Sequence, residues 1–388
     1  MKQNIGIANG IKLCLLGLAA WSGASVAADE TPKNNVEFYG KIDIGGVLRT
    51  DPVGVQTGHG TDAQFVSGAG PSEPGTEAGS FVGVRGNRLI SKDITGIFAL
   101  EAGLNVTNGA ANNSANTYSA NTTPLFARQA YVGATGSWGT ALGGRLEGGR
   151  AGVVQKYDPF GGGTVAGMGA QIHITQKADN AVAYVTPSWN NFSAVVAYTT
   201  QLFGQSTAGN VWDNRVYAVI PTYEKGNLSV TYDHEAAWYS QAGVSRLQLD
   251  ILAGSYDFTA VKLYAYAERV SVDTPIASSL AALQPLQSHN AYMLGAAIPI
   301  NASTKLRTSF VENKDTGDVA CTQYGIGLQH YLDKDSSVYI DAAAITNSNG
   351  SKCSIAYNTY QNANDNGGLA SSKGFGTRGM DMGFIYKF

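Results

Sequence analysis

The last ten residues of the chain alternate between apolar and polar positions. One parity carries large apolar and aromatic side chains: Met380, Met382, Phe384, Tyr386 and Phe388. A period of two residues predicts an extended strand with one set of side chains on each face of a sheet. Apolar groups that continue to the terminal carboxylate suit a strand with lipid on one face and water on the other. A soluble sandwich could end in the same way, so recurrence of the pattern decides between the two interpretations.

The clearest strand in the sequence runs from Val36 to Thr50. One parity is apolar or small: Val36, Phe38, Gly40, Ile42, Ile44, Gly46 and Leu48. The other parity carries the charged side chains: Glu37, Lys41, Asp43 and Arg49. This strand is longer than the ~9–11 residues that a tilted strand needs to cross a bilayer. It therefore predicts a lipid-facing side and a water-facing side.

The same alternation recurs along the chain, for example at 192–199, 228–233, 247–251, 305–310 and 338–343. The connections alternate between tight turns, such as Ser91–Asp93, and long polar loops such as 51–79 and 107–123. Tight turns at one end and long loops at the other are typical of outer-membrane barrels. The pattern predicts an all-β fold, a transmembrane antiparallel β-barrel of about 16 strands. In each strand we expect the apolar parity to face lipid.

Residues 1–28 have the composition of a secretory signal peptide. Lys2 and Lys12 precede an apolar segment at 13–21, and small residues follow at 22–28. The apolar segment is shorter than the ~20 residues of a membrane-spanning helix. We expect export, with residues 29–388 forming one barrel domain in the bacterial outer membrane.

The overall composition is polar for a membrane protein, with a mean hydropathy of −0.10 and 14% charged residues. A barrel accommodates this composition because only alternate strand residues face lipid. Loss of Lys2 and Lys12 with the signal peptide leaves 24 basic residues against 29 acidic ones, a net charge of −5. This balance argues against nucleic acid as a partner.

The few chemically reactive side chains do not form a catalytic or metal-binding pattern. The five histidines lie far apart without metal-ligand spacing, and no nucleophile motif is present. We therefore predict neither an enzyme nor a cofactor or metal. Cys321 and Cys353 remain after signal removal. Because an exported protein folds in an oxidising compartment, we expect a disulfide between them.

The loop at 148–176 contains Tyr-Asp-Pro-Phe-Gly-Gly-Gly at 157–163. It could be a flexible surface loop. The sharper interpretation is that it folds into the barrel and narrows the pore, with Tyr157 and Phe160 as anchors and the glycines permitting tight turns. The loop also offers Lys156 and the acid Asp158.

Strand parity places a group of basic side chains in the lumen near this loop: Arg85, Arg128, Arg145 and Lys177. They could be solvated wall residues of a wide barrel. Their grouping on neighbouring strands favours a pore constriction, where cations attract anions by focusing the field.

Several segments together resemble the Gram-negative general porins of the betaproteobacterial type. The resemblance lies in 36–43, 83–86, 98–106, 125–133, 142–145, 158–160, 179–184 and 383–388. It implies a sixteen-stranded homotrimeric barrel in the outer membrane, a third external loop folded inward, and passive diffusion of small hydrophilic solutes and ions. It also implies that Arg128, with Arg85 and Arg145, faces the constriction. Phe81 departs from the family, which usually has an arginine there, and this weakens the cationic wall.

Four functional hypotheses follow. The first is a general diffusion porin with mild anion preference. The second is a solute-specific channel in which Phe81, Tyr157 and Phe160 form an aromatic path. Outside transport, a barrel enzyme would need a spatial cluster that sequence spacing does not show, and a structural barrel would have a plugged lumen.

Overall fold

The computed structural model describes residues 34–50, 62–67, 79–109, 111, 125–170, 177–201, 215–239, 245–273, 288–315, 317–351, 353, 355 and 377–388. The predicted signal peptide and most of the predicted loop at 51–79 lie outside these ranges. Within them, no helix is long and apolar enough to cross a membrane.

The described chain is almost entirely β-structure. The strands are β1 (Asn35–Thr50), β2 (Asp62–Val66), β3 (Ser80–Ser91), β4 (Ile94–Leu104), β5 (Gln129–Gly136), β6 (Gly139–Glu147), β7 (Lys177–Val185), β8 (Phe192–Gln201), β9 (Val216–Lys225), β10 (Leu228–Tyr239), β11 (Ser245–Asp257), β12 (Lys262–Val272), β13 (His289–Pro299), β14 (Thr304–Asp315), β15 (Ala320–Tyr331), β16 (Ser336–Ser348) and β17 (Arg378–Lys387). One α-helix, α1 (Gly149–Tyr157), and a 3₁₀ turn, Met168–Ala170, lie between β6 and β7.

The strands form a closed antiparallel barrel of sixteen positions. From β3 onward each strand pairs with the next, and β17 pairs with β1. On its other side β1 pairs with β3 through its first half and with β2 through its second half, so β2 and β3 share one position. The predicted fold class is confirmed.

The barrel closes where the two ends of the described chain meet. Gly40 and Phe388 exchange backbone hydrogen bonds of 3.0 and 3.1 Å. A Cβ atom at Gly40 would lie 2.5 Å from the Phe388 ring, so glycine lets that ring cover the seam. The Phe38 ring lies 5.8 Å from the same ring between centroids. The terminal phenylalanine therefore completes the sheet at the short-turn end.

Large apolar side chains cover the outward face. Val36 is 68% exposed, and the outward side chains of other strands are similarly open, including Phe38, Val132, Leu252, Leu294 and Met382. Near the short turns this face carries aromatic residues, among them Trp189, Phe192, Phe258 and Tyr386. An apolar band with an aromatic border is the outer surface that a bilayer requires.

Strand β11 departs from the expected orientation. Leu247, Leu249 and Ile251 were expected to face lipid, but all three are buried on the inward face. They belong to the same apolar cluster as Val153 and Val154 of α1. The prediction is wrong here because the inward face of β11 meets a helix instead of water.

Candidate functional site

The inward loop, residues 148–170, follows β6 and packs inside the barrel. Its helix α1 lies against β10, β11 and β12. Val153 and Val154 are fully buried in the apolar cluster between helix and wall. At the start of the helix, a Cβ atom on Gly149 would lie 2.5 Å from Ile220 Cδ1, so glycine permits the close approach.

A buried ion pair fixes the first turn of α1. Arg150 Nε donates to Glu268 Oε2 at 2.7 Å, and Arg150 Nη2 donates to the second carboxylate oxygen. Tyr266 Oη donates to the same carboxylate, and His289 Nε2 lies 3.3 Å from it. The backbone N–H of Arg150 donates to Glu235 Oε1 at 3.2 Å. A buried pair supported by further hydrogen bonds holds its two elements in register, since separating them leaves a buried charge unpaired.

Hydroxyl groups fix the last turn of α1. Tyr157 Oη lies 2.8 Å from Ser229 Oγ and 2.7 Å from Thr231 Oγ1. Beside it, Lys156 Nζ donates to Glu224 Oε1 at 2.7 Å. These partners belong to the ends of β9 and β10 next to their short turn. The helix therefore runs down the wall toward the short-turn end.

Asp158 organises the turn that follows the helix. Its carboxylate accepts hydrogen bonds from the backbone N–H of Phe160 at 2.8 Å and of Met168 at 2.6 Å. Burial raises the pKa of the Asp158 carboxyl to about 6, although these hydrogen bonds oppose the shift. Phe160 is fully buried, with its ring centroid 4.7 Å from Arg307 Cζ. Arg307 in turn donates to both oxygens of Asp341.

The rest of the inward loop docks onto later strands. Ser309 Oγ donates to the carbonyl of Ala166 at 2.7 Å, and Gln323 Nε2 donates to that of Gly167 at 3.0 Å. The N–H of Val165 donates to Asp381 Oδ2 at 2.7 Å. The inward loop therefore docks along the wall from β9 to β17.

Each of the four basic residues predicted at the constriction lies beside a carboxylate. The pairs are Arg85–Glu37 at 2.9 Å, Arg128–Glu101 at 3.4 Å, Arg145–Asp179, and Lys177–Glu147 at 3.0 Å. Arg128, Arg145 and Lys177 are buried, whereas the Arg85 side chain remains 24% exposed. The alternation of residues alone suggested free cations at these positions. Cations that are buried and paired with carboxylates contribute less to the electric field in a pore.

Phe81 belongs to the same wall. It is buried, and Arg128 Cζ lies 4.6 Å from its ring centroid. Tyr39 packs edge-on against Phe81, and Arg85 Cζ lies 4.3 Å from the Tyr39 ring. Phe81 and Tyr39 thus each support one arginine, whose planar cation lies over the ring.

The sequence matches the Gram-negative porin family over residues 15–350. The chain belongs to the Gram-negative porin family. It is 30% identical over 379 residues to an outer membrane porin protein of Bordetella pertussis, covering 85% of this chain and 93% of that one. Outer membrane porin protein 32 of Delftia acidovorans is 26% identical over 355 residues, covering 87% and 90%. The anion-selective porin from Comamonas acidovorans has a TM-score of 0.70 at 19% identity, covering 92% and 100%.

Membership confirms the porin resemblance and places the protein in the outer membrane. The porin is a water-filled channel for passive diffusion of small hydrophilic solutes and ions. Its short turns therefore mark the periplasmic end and its long connections the external end.

A lysine group at the periplasmic end of the porin was not singled out from sequence. Lys262 lies within electrostatic range of Lys156 and Lys305, and of two carboxylates, Glu224 and Asp257. Strand parity places Lys262 and Lys305 inward, and both lie next to a short turn. These two features together could have identified them from the sequence.

Two more inward lysines of the porin lie on the strands at the seam. Lys41 of β1 and Lys387 of β17 are direct register partners. Lys41 Nζ lies 5.8 Å from the Phe81 ring, which links the seam to the arginine wall.

In this porin Cys321 and Cys353 are joined as a disulfide with their Cα atoms 6.0 Å apart. Both are buried in one apolar cluster with Phe160 and Val165 of the inward loop. The disulfide therefore lies against the segment that narrows the channel.

Proposed function

We propose that the channel has a mild anion preference set by inward cations in its periplasmic half. The observation that carries this proposal is the group of Lys156, Lys262 and Lys305, three ammonium groups near two carboxylates. Lys41 and Lys387 add two further inward cations at the seam. A net positive wall around a narrow aqueous passage raises the local anion concentration. The similar Comamonas acidovorans structure is an anion-selective porin, in agreement with this assignment.

The predicted constriction residues have a second role in this proposal. Arg85 is the one predicted wall arginine that keeps partial exposure beside the lumen, so it contributes to the field directly. Arg128, Arg145 and Lys177 position the wall through their carboxylate partners Glu101, Asp179 and Glu147. Lys156, Tyr157, Asp158 and Phe160 hold the inward loop that sets the width of the passage.

The reversal potential in a KCl gradient across a planar bilayer tests the preference. We expect a sign that reports chloride as the more permeant ion. A reversal potential at zero or of the opposite sign would remove the anion preference and leave the channel function intact.

We also propose that the functional unit is a homotrimer, as one similar structure from Vibrio cholerae is described as a trimer form. Mass measurement of the detergent-solubilised protein tests this assembly.

Residues 1–28 are proposed to be removed on export, and the mass of the mature chain tests that cleavage.

General diffusion is proposed over a solute-specific channel because Phe81, Tyr157 and Phe160 are all buried and offer no continuous aromatic path. Liposome swelling by sugars and amino acids of graded size separates the two. A graded dependence on size supports general diffusion, whereas saturable entry of one compound supports a specific channel.

We propose no enzymatic role; hydrolysis of lipid or peptide substrates by the pure protein would contradict this.

A further inference from the structure

Three arginines lie on the outward face of the wall formed by β9 to β12. Arg246 shares the outward parity of Leu252 on β11, which is 57% exposed. Arg215 directly precedes β9 and shares the parity of the exposed Val219, and Arg269 of β12 is itself exposed. Outward positions of a membrane barrel are usually apolar, because a charge that faces hydrocarbon is costly. This grouping therefore calls for a polar partner in the surrounding membrane.

Two of these arginines lie over the ring of Trp238 on β10. The N–H of Trp238 donates to the carbonyl of Arg215 at 3.1 Å, and Arg246 is the register partner of Trp238 on β11. From the centre of the Trp238 ring, Arg215 Cζ lies at 4.6 Å and Arg246 Cζ at 5.6 Å. A guanidinium that stacks on a ring presents its N–H groups along its edge, where they suit a phosphate. Among the described residues, no hydrogen-bond partner reaches Arg246 Nε.

This row of side chains lies at the height of the lipid headgroups on the external side. Trp238 follows Leu228, the first residue of β10 after a short periplasmic turn, by ten residues. At ~3.3 Å per residue and a strand tilt of about 40°, Trp238 lies about 25 Å above Leu228, which is the height of the apolar band in such barrels. The Tyr217 ring packs against Trp238 with 5.5 Å between centroids. Aromatic rings of this kind mark the boundary between hydrocarbon and headgroups.

The acidic residues on this face leave the row positively charged. Asp250 is the register partner of Arg269, so these two opposite charges balance. At the level of Trp238 the described residues of β9 to β12 place Arg215 and Arg246 with a single acid, Asp273, whose N–H donates to the carbonyl of Arg246 at 3.1 Å. The row therefore favours an anion.

We propose that Arg215, Trp238 and Arg246 bind the phosphate group of a lipid in the outer leaflet. Guanidinium groups bind phosphate oxygens in pairs, and a lipid headgroup places a phosphate at this height. The lipid is favoured over a protein partner because the exposed side chains below the row, including Val219 and Leu252, are apolar, as acyl chains require. The site lies outside the barrel and is independent of the ion preference proposed for the lumen.

Native mass spectrometry of the detergent-solubilised protein tests the proposal, with dioleoyl phosphatidic acid as the probe. We expect half-saturation at a concentration about tenfold lower than for dioleoylglycerol, which has the same acyl chains and no phosphate. Inorganic phosphate at the same concentration should not displace the lipid, because it makes no contact with the apolar surface. Equal retention of the two lipids, or displacement by inorganic phosphate, would overturn the proposal.

Variants assign the binding to this row. The double variant Arg215→Gln, Arg246→Gln should bind phosphatidic acid about tenfold more weakly. Arg88→Gln, which changes an outward arginine of β3 near a short turn, is the matched control and should bind as the wild type does. Trp238→Leu keeps both charges and removes the ring beneath them, so binding should weaken about threefold.

Unchanged binding by the double variant would overturn the assignment. Loss of the oligomeric mass in the double variant, with lipid binding retained, would also overturn it and assign this face to a contact between subunits. If the double variant yields no folded barrel, Arg246→Gln alone provides the same test.

Discussion

Tyr157 donates or accepts a hydrogen bond of 2.7 Å with Thr231, which ties the last turn of the inward helix to the barrel wall. At the other end of the same helix, Arg150 is bound to Glu268. The helix is thus fixed at both ends by polar contacts, with Val153 and Val154 buried between them. This arrangement explains how a loop with three consecutive glycines at 161–163 can define the width of a channel.

Loss of the Tyr157 anchor should loosen the inward loop less than loss of the Arg150 anchor. Tyr157→Phe removes hydrogen bonds at a cost of about 1 kcal/mol and should increase open-channel current noise modestly. Arg150→Leu leaves the Glu268 carboxylate buried without its cation, at a cost of about 3–5 kcal/mol, and should increase the noise much more. Single-channel recordings measure both, with the outward-facing Tyr386→Phe as control. Noise in Arg150→Leu equal to that of the wild type would show that the pair does not hold the loop.

Docking of the inward loop should depend on pH through Asp158. Burial raises the pKa of this carboxyl from its ordinary 3.8 to about 6, so the docked loop binds a proton more tightly than an undocked loop does. The stabilisation is complete below pH 3.8 and is lost as pH rises through about 6. The difference corresponds to about 3 kcal/mol at most.

We therefore expect open-channel noise to rise between about pH 4 and about pH 6.5, the range over which the docked and undocked loops differ in protonation of Asp158. Asp158→Asn resembles the protonated acid and cannot ionise, so its noise should stay at the acidic level throughout. A variant that keeps the wild-type pH dependence would assign the effect to another group.

Charge reversal at the periplasmic lysines should change ion selectivity. Lys262→Glu and Lys305→Glu each replace an inward ammonium group with a carboxylate, so the reversal potential in a KCl gradient should shift toward cations. Lys334→Glu, on an exposed turn, is the matched control and should produce a smaller shift. Equal shifts in all three variants would indicate a general surface-charge effect.

Reversal of a buried wall arginine should affect folding before selectivity. Arg128→Glu places a carboxylate beside Glu101, which is itself buried. Two buried like charges are costly, so the yield of refolded barrel should fall sharply. The yield is measured by the fraction of protein that resists denaturation on an unheated gel. A normal yield together with a cation-selective channel would show that Arg128 faces open water.

The disulfide should stabilise the external end of the barrel. Cys321 and Cys353 are separated by 32 residues, for which loop closure contributes about 3–4 kcal/mol. Thermal unfolding followed by circular dichroism should show a lower midpoint for Cys321→Ser, and reductant should lower the wild-type midpoint without changing that of the variant. Free thiols in unreduced, denatured wild-type protein would contradict the bond.

The barrel could be predicted from sequence because lipid imposes a period of two on each crossing strand. That constraint is strong in β1 and β17, where the outward parity is apolar and the inward parity carries charges. It fails in β11, where Leu247 and Leu249 face inward because the inward loop supplies an apolar partner. The alternation of apolar and polar residues predicts which side of a strand faces lipid only where the inward side of that strand meets water.

The pairing of the site residues could not be predicted in the same way. Parity indicated that Arg128 and Lys177 point inward, but each is buried beside a carboxylate that register brings close, Glu101 or Glu147. Arg150 and Glu268 are 118 residues apart, and their contact depends on the path of the inward loop. Sequence alternation indicates the direction of a side chain, whereas its electrostatic partner depends on which strands are neighbours and on strand register.

The central claim is that water fills a continuous passage between the inward loop and the opposite wall. Single-channel conductance of the pure, refolded protein as a function of KCl concentration tests this claim most directly. We expect stepwise insertions whose conductance rises in proportion to the bulk salt concentration, because the ions cross in water. A fully folded barrel that shows no conductance at any salt concentration would contradict it.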